Sequence, residues 1–373
     1  MIRFLIALLA LLFLPSALCA FQNYDIDDGL SQSVVFDIVQ DQQGFIWIST
    51  QAGLNRFDGN EFTVFTASDK ENSLANNYIY PLALDSESQL FIGTRNSGVN
   101  QLALHNYQFS EPLLKERRIT SLLVAQQQVY IGTYDGSLFR YDKRAEQLET
   151  LITGLKKPIY ALSKIADILW IGTHGAGLLH YDLINNQQIN SVFSGFAEPV
   201  DIHASIFAIK QSSDGSIWLA SQGGGLYKIE LSTKTITQWL TSNDDNSGLS
   251  SNEIRDIEFD SQGLVWLATR GGGINVYDPI DASFTVLAHD PFDKYSLAHD
   301  RVYSIYRDSS DIMWFGTAHG ISKLDPASLQ FSKLKKPTPL SSNDAWALFE
   351  DSKQRIWYGS WGGGIDILDQ QLN

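Results

Sequence analysis

Short apolar runs, rich in β-branched and aromatic residues and broken by Gly, Asp and Pro, recur from Phe21 to the end of the chain. Such runs read as strands, and nothing after residue 20 carries the sustained 3.6-residue period of a helix. One phrase organises them: Trp170-Ile171-Gly172-Thr173, followed by Gly175 and Gly177. It returns as Trp47-Ile48-Ser49-Thr50, Phe91-Ile92-Gly93-Thr94, Tyr130-Ile131-Gly132-Thr133 and Trp218-Leu219-Ala220-Ser221. Trp266-Leu267-Ala268-Thr269, Trp314-Phe315-Gly316-Thr317 and Trp357-Tyr358-Gly359-Ser360 complete the set. The anchors Thr50, Thr94, Thr133, Thr173, Ser221, Thr269, Thr317 and Ser360 stand 39–48 residues apart, in eight copies. A period of roughly 40–50 residues built from short strands is that of propeller blades.

The sixth repeat shows the grammar. Ile254–Phe259 is a first strand, 260–263 (Asp-Ser-Gln-Gly) a turn, 264–268 a second strand, and Arg270-Gly271-Gly272 another turn. A third strand follows at 274–277, a break at Asp278-Pro279, and a fourth strand at 284–287. Four antiparallel strands repeated radially make a β-propeller. The large residue opening each second strand is expected to fill the wedge between neighbouring sheets, burying about 150–250 Å² apiece.

Fourth strands are expected at 62–65, 107–109, 148–151, 189–193, 236–239, 284–287 and 331–334. The eighth repeat stops after 365–368, while 21–24 stand one strand ahead of the first repeat. Pairing those two would close a ring. The expected fold is therefore all-β: a single propeller over residues 21–373 with eight blades, closed by its N-terminal strand. The competing count is a seven-blade ring with an orphan repeat.

The first residues change the setting. Arg3 precedes the apolar stretch 4–14, then Pro15 and the small residues Ser16 and Ala17. This reads as a secretory signal peptide over 1–20, and the apolar run falls short of the ~20 residues of a membrane span. The single cysteine, Cys19, leaves with it or sits at the new N-terminus, and Leu18 before it is bulky for a lipidation signal. The mature chain then holds no disulfide. A net charge of −15 disfavours nucleic acid and anionic lipid as partners.

The segments Gly29-Leu30-Ser31, 41–50 with Gly53 to Gly59, and Gly248-Leu249-Ser250-Ser251-Asn252 resemble the two-component-regulator propeller repeat. The resemblance extends over nearly the whole mature chain, and is weakest in repeats two and three, which lack the tryptophan. It implies the periplasmic sensor half of membrane receptors whose outputs are histidine kinase, hybrid two-component or diguanylate cyclase modules, many responding to oligosaccharides. A membrane-bound kinase or cyclase is then the expected partner. Typical members carry two seven-blade propellers, a membrane span and an output domain. This sequence shows none of the additions, which marks it as a truncated receptor, a fragment or a stand-alone binding protein.

In this strand order, the loops after each second strand and those leading into each first strand share one face, opposite the Asp-x-x-Gly turns. Binding residues tend to lie on such loops. Arg95, Tyr134, His174, Arg270, His319 and Trp361 are the candidates. Tyr134 and Trp361 suit stacking on a pyranose, and Arg95 with Arg270 suits clamping a carboxylate or sulfate. A second ring stands at the start of the first strands: Phe36, Tyr80, Thr120, Tyr160, Phe207, Arg255, Tyr303 and Trp346. It reads either as blade-to-blade core or as an aromatic mouth to the axis with Arg255 as its one charge.

No catalytic constellation, metal spacing or cofactor signature stands out, so the expectation is a non-enzymatic binding module. The best carboxylate pair for an alternative glycan hydrolase or lyase is Asp37 with Asp256, at equivalent positions of two first strands. Structural hydrogen bonding is the blander use for both. A protein-binding scaffold is the remaining alternative.

Overall fold

The computed structural model describes residues 21–69, 72–189, 192–193, 196, 202–241, 248–330, 345–360 and 364–368. The signal-peptide reading of 1–20 lies outside them. Among the described residues every regular element is a strand, apart from two 3-10 turns at Ile26–Asp28 and Pro326–Gln330. The chain divides into two compact units, one spanning Cys19–Pro326 and one holding Ala327–Asn373.

The larger unit contains seven antiparallel four-stranded sheets, six of them built from consecutive strands. The first strands are Val35–Gln40, Ile79–Leu84, Ile119–Ala125, Ile159–Ile165, Ser205–Gln211, Ile254–Phe259 and Val302–Arg307. Each touches the next, and Val302–Arg307 touches Val35–Gln40, so the contacts run in a cycle of seven.

The expectation of eight blades closed on the eighth is corrected here. Gln22–Tyr24 pairs with Gly320–Leu324 of the seventh repeat, in the register Gln22↔Lys323, Asn23↔Ser322 and Tyr24↔Ile321. Side chains fix that choice. Phe21 is buried against Phe315 at 5.8 Å, and Tyr24 lies 4.9 Å from Phe57 of the first sheet. Asn23 donates to the Ser296 carbonyl at 2.9 Å and accepts from the Ser322 hydroxyl at 2.7 Å. The fourth strand expected at 331–334 falls outside the described residues. The eighth repeat is a three-stranded sheet of Ala345–Glu350, Ile356–Ser360 and Gly364–Leu368, in the second unit.

Two hydrogen-bond devices explain the repeated phrase. The anchor hydroxyl donates to the carbonyl three or four residues on, as from Thr173 to Gly177 at 2.8 Å and Thr269 to Gly273 at 2.7 Å. It thereby staples the turn between second and third strands. The aspartate that opens the turn between first and second strands serves the tryptophan: Trp47, Trp266, Trp314 and Trp357 donate their indole N–H to Asp41, Asp260, Asp308 and Asp351 respectively at 2.8–2.9 Å, the first two of these turns being Asp-x-x-Gly. Trp47, Trp170 and Trp266 are essentially inaccessible. Trp47 packs onto Ile79, Leu82 and Leu90 of the second sheet, as the wedge expectation required. At ~25 cal/mol per Å² each such ring contributes about 4–6 kcal/mol as an upper bound.

Candidate axial binding site

Each first strand breaks register against its neighbour one or two residues after it begins, for example between Val35 and Asp37 and between Ile254 and Asp256. A bulge leaves one residue unpaired and re-aims its side chain. In the seven-sheet unit that residue is Phe36, Tyr80, Thr120, Tyr160, Phe207, Arg255 or Tyr303, and all seven line one cavity of about 590 Å³. All seven are half-buried. Trp346, the eighth member of the expected ring, belongs to the other unit.

The rings form two shelves. Phe36 contacts Tyr78, Tyr80 and Tyr303 at 5.8, 4.9 and 5.7 Å. Tyr160 stacks on Phe207 at 5.0 Å and meets His174 edge-on at 5.8 Å. Arginines cover both: Arg255 sits 4.0 Å over Phe207, Arg95 4.7 Å over Tyr78, and Arg118 5.1 Å over Tyr80 and 4.2 Å over Tyr134. Burial, together with the neighbouring Arg270, lowers the Arg255 pKa.

The two loop sets do share a face. The N–H groups of Arg95, Tyr134, His174 and Arg270, after the second strands, donate to the carbonyls of Tyr78, Arg118, Pro158 and Glu253, ahead of the first strands. Tyr134, His174 and Arg95 therefore ring the mouth, and Arg255 and Arg270 line the cavity itself. Arg95 lies on Tyr78, whereas Arg270 is paired with Glu253 at 3.2 Å. His319 lies 5.6 Å from His299 and borders a separate hollow with Asn23, His289 and Lys294. Trp361 lies outside the described residues. Sequence reading missed Arg118, which directly precedes a first strand.

Deeper in, Asp37 and Asp256 also line the cavity. Burial raises their pKa values to about 7 and about 6, and the Asp256 charge pushes Asp37 further up. Each carboxylate is tied to backbone. Asp37 accepts from the Ile38 and Leu82 N–H groups at 2.9 and 2.8 Å; Asp256 accepts from those of Ile257 and Ile305 at 2.8 and 2.9 Å. They bridge one first strand to the next, which is the structural use. Lys210 pairs with Glu258 nearby. Burial would lower the Lys210 pKa, but Glu258, Asp256 and Asp37 outweigh it and the net shift is upward.

Four segments, 29–52, 248–271, 296–319 and 339–362, match the family model described as two component regulator propeller. A histidine kinase P4 of Formosa agariphila is 42% identical over 53 residues, which are 14% of this chain and 4% of that protein. Among solved structures, the extracellular domain assigned to the hybrid two component system BT3049 of B. thetaiotaomicron is 21% identical, with a TM-score of 0.70 over 95% of this chain and 54% of that one. The extracellular domain of BT4673 from the same organism gives 22% and 0.68, over 95% and 46%. A streptogramin B lyase structure gives 14% and 0.62, over 82% and 98%. The chain thus spans a small part of the kinase and about half of the two extracellular domains, and at these identities the solved structures speak for the fold. Among the described residues no helix is long and apolar enough to cross a membrane.

Proposed function

We propose, from the premise that this chain carries two component regulator propeller repeats, that it is the ligand-binding sensor part of a signal-transduction receptor. It works in the periplasm and passes its signal to a membrane-bound kinase or cyclase. The ligand is an oligosaccharide held at the axial mouth. The observation that carries this reading is the ring of bulge residues, which brings Phe36, Tyr80, Tyr160, Phe207 and Tyr303 to one opening. Flat aromatic surfaces flanked by polar side chains suit pyranose rings, and concave sites of this size suit small ligands. Tyr134, His174, Arg95, Arg255 and Arg270 supply the polar contacts. His319 faces a different hollow and is left out.

A hydrolase or lyase built on Asp37 and Asp256 fits less well, because every carboxylate oxygen of the pair already accepts a backbone N–H. Titration calorimetry of the purified chain with an oligosaccharide panel tests the reading. Binding that Tyr160→Ala weakens at least about tenfold, without release of reducing ends, is the expected result. No binding to any oligosaccharide, or reducing-end release abolished by Asp37→Asn, would overturn it.

A further inference from the structure

The mouth is cationic in an acidic protein. The chain carries −15 overall. Yet the charged residues lining the cavity are four cations, Arg118, Lys210, Arg255 and Arg270, against two carboxylates, Asp37 and Asp256. Two of the cations are already spent: Arg270 pairs with Glu253 and Lys210 with Glu258. Arg118 and Arg255 have no carboxylate partner within ion-pair distance among the described residues. Their Nε atoms are buried and make no hydrogen bond, and Arg118 otherwise donates to the Tyr80 hydroxyl at 3.0 Å. A half-buried guanidinium whose Nε is shut away without an acceptor is costly to maintain, and an acceptor arriving at its other nitrogens offsets part of that cost.

Their placement selects the acceptor. The first strands that hold Tyr160 and Phe207 lie in the fourth and fifth sheets. Arg118 leads into the third sheet and Arg255 stands on the bulge of the sixth. The two arginines therefore flank the Tyr160–Phe207 shelf, Arg255 lying over Phe207 itself and Arg118 over Tyr134; burial raises the Tyr160 pKa, and the two arginines pull against that rise. Arginine forks match planar carboxylates, and an aromatic shelf matches the face of a sugar ring. Building on the oligosaccharide reading, we infer that the preferred ligand is an acidic oligosaccharide: a uronate ring stacks on Tyr160 and Phe207, with its carboxylate held by Arg118 and Arg255.

Calorimetry with two matched panels tests this, one of neutral gluco-, manno- and galacto-oligosaccharides and one of oligogalacturonates and oligomannuronates. Wild type, Arg118→Gln, Arg255→Gln and Arg144→Gln (on an exposed turn) are compared, with melting curves to verify folding. The expected result is uronate binding that weakens with added salt, falls about tenfold or more in each of the first two variants, and is unchanged in the third. Should either glutamine variant melt early, Arg→Lys at that position replaces it and is expected to lose affinity in part, keeping the charge but not the fork. Neutral sugars binding as tightly as uronates, or uronate binding indifferent to both arginines, would overturn the inference and leave the sensor reading standing. Failure of both panels would take the oligosaccharide reading down with it.

Discussion

At the scale of single residues, the turn aspartates and the cavity aspartates behave oppositely because their surroundings differ. Asp260 accepts the Trp266 indole N–H and the backbone N–H groups of Gln262 and Leu264 at 2.9 Å each. Asp260→Ala leaves a buried indole donor unpaired and unfastens the turn, so chemical denaturation should register a loss of about 2–4 kcal/mol. Asp37 and Asp256 instead hold their protons to about pH 7 and about pH 6. The unfolded chain releases them near the usual ~3.9. Their contribution to stability is fully present below that value and is lost as pH rises through 6 and 7. Melting temperature should therefore fall between about pH 4 and pH 7, and fall less steeply in Asp37→Asn; an equally steep decline in the variant would refute this. The residues themselves were legible in the sequence, Asp41 through its Asp-x-x-Gly turn and Asp37 through its equivalence to Asp256. The six-residue reach from turn Asp to Trp was not, because it depends on the indole folding back over the hairpin. Arg118 was missed because its importance comes from lacking a carboxylate partner, a property of the assembled mouth.

At the scale of the element, the bulge in each first strand links fold to site. It turns one side chain toward the axis and sets the next one against the second strand, where Ala161 opposes Gly172 and Ser304 opposes Gly316. That is why the repeated phrase carries Gly, Ala or Ser before its anchor. A Cβ at Gly172 would stand 2.8 Å from both Ala161 Cβ and Ile206 Cγ2 of the following sheet. Gly172→Ala should cost about 1–3 kcal/mol by forcing two sheets apart. Loss of ligand affinity with stability preserved would instead mean that this position serves the mouth directly. Strand order and the ring of bulge residues were open to sequence reading because a period-two pattern with fixed turn residues survives translation into sheets. The bulge was hidden, since an extra residue in a short apolar run looks like one more strand position.

At the scale of the whole molecule, repetition told how many units exist but not which of them close on each other. The third strands of the seventh and eighth repeats offer the N-terminal strand similar apolar and polar alternation, and the decision falls to Phe21, Asn23 and Tyr24 against Phe315, Ser322 and Phe57. Phe21→Ala should cost about 3 kcal/mol in denaturant unfolding, whereas Ile365→Lys, on an exposed position of the three-stranded sheet, should leave that transition unmoved. A result the other way round would return the strand to the eighth repeat. The central claim is that the two loop sets and the bulges, and not the turns between first and second strands, receive the ligand. Hydrogen–deuterium exchange with and without a saturating oligogalacturonate tests it most directly. Protection should appear in 118–122, 158–162, 205–209 and 253–257, while 41–44, 212–215, 260–263 and 308–311 stay unchanged; protection confined to the second group would contradict it.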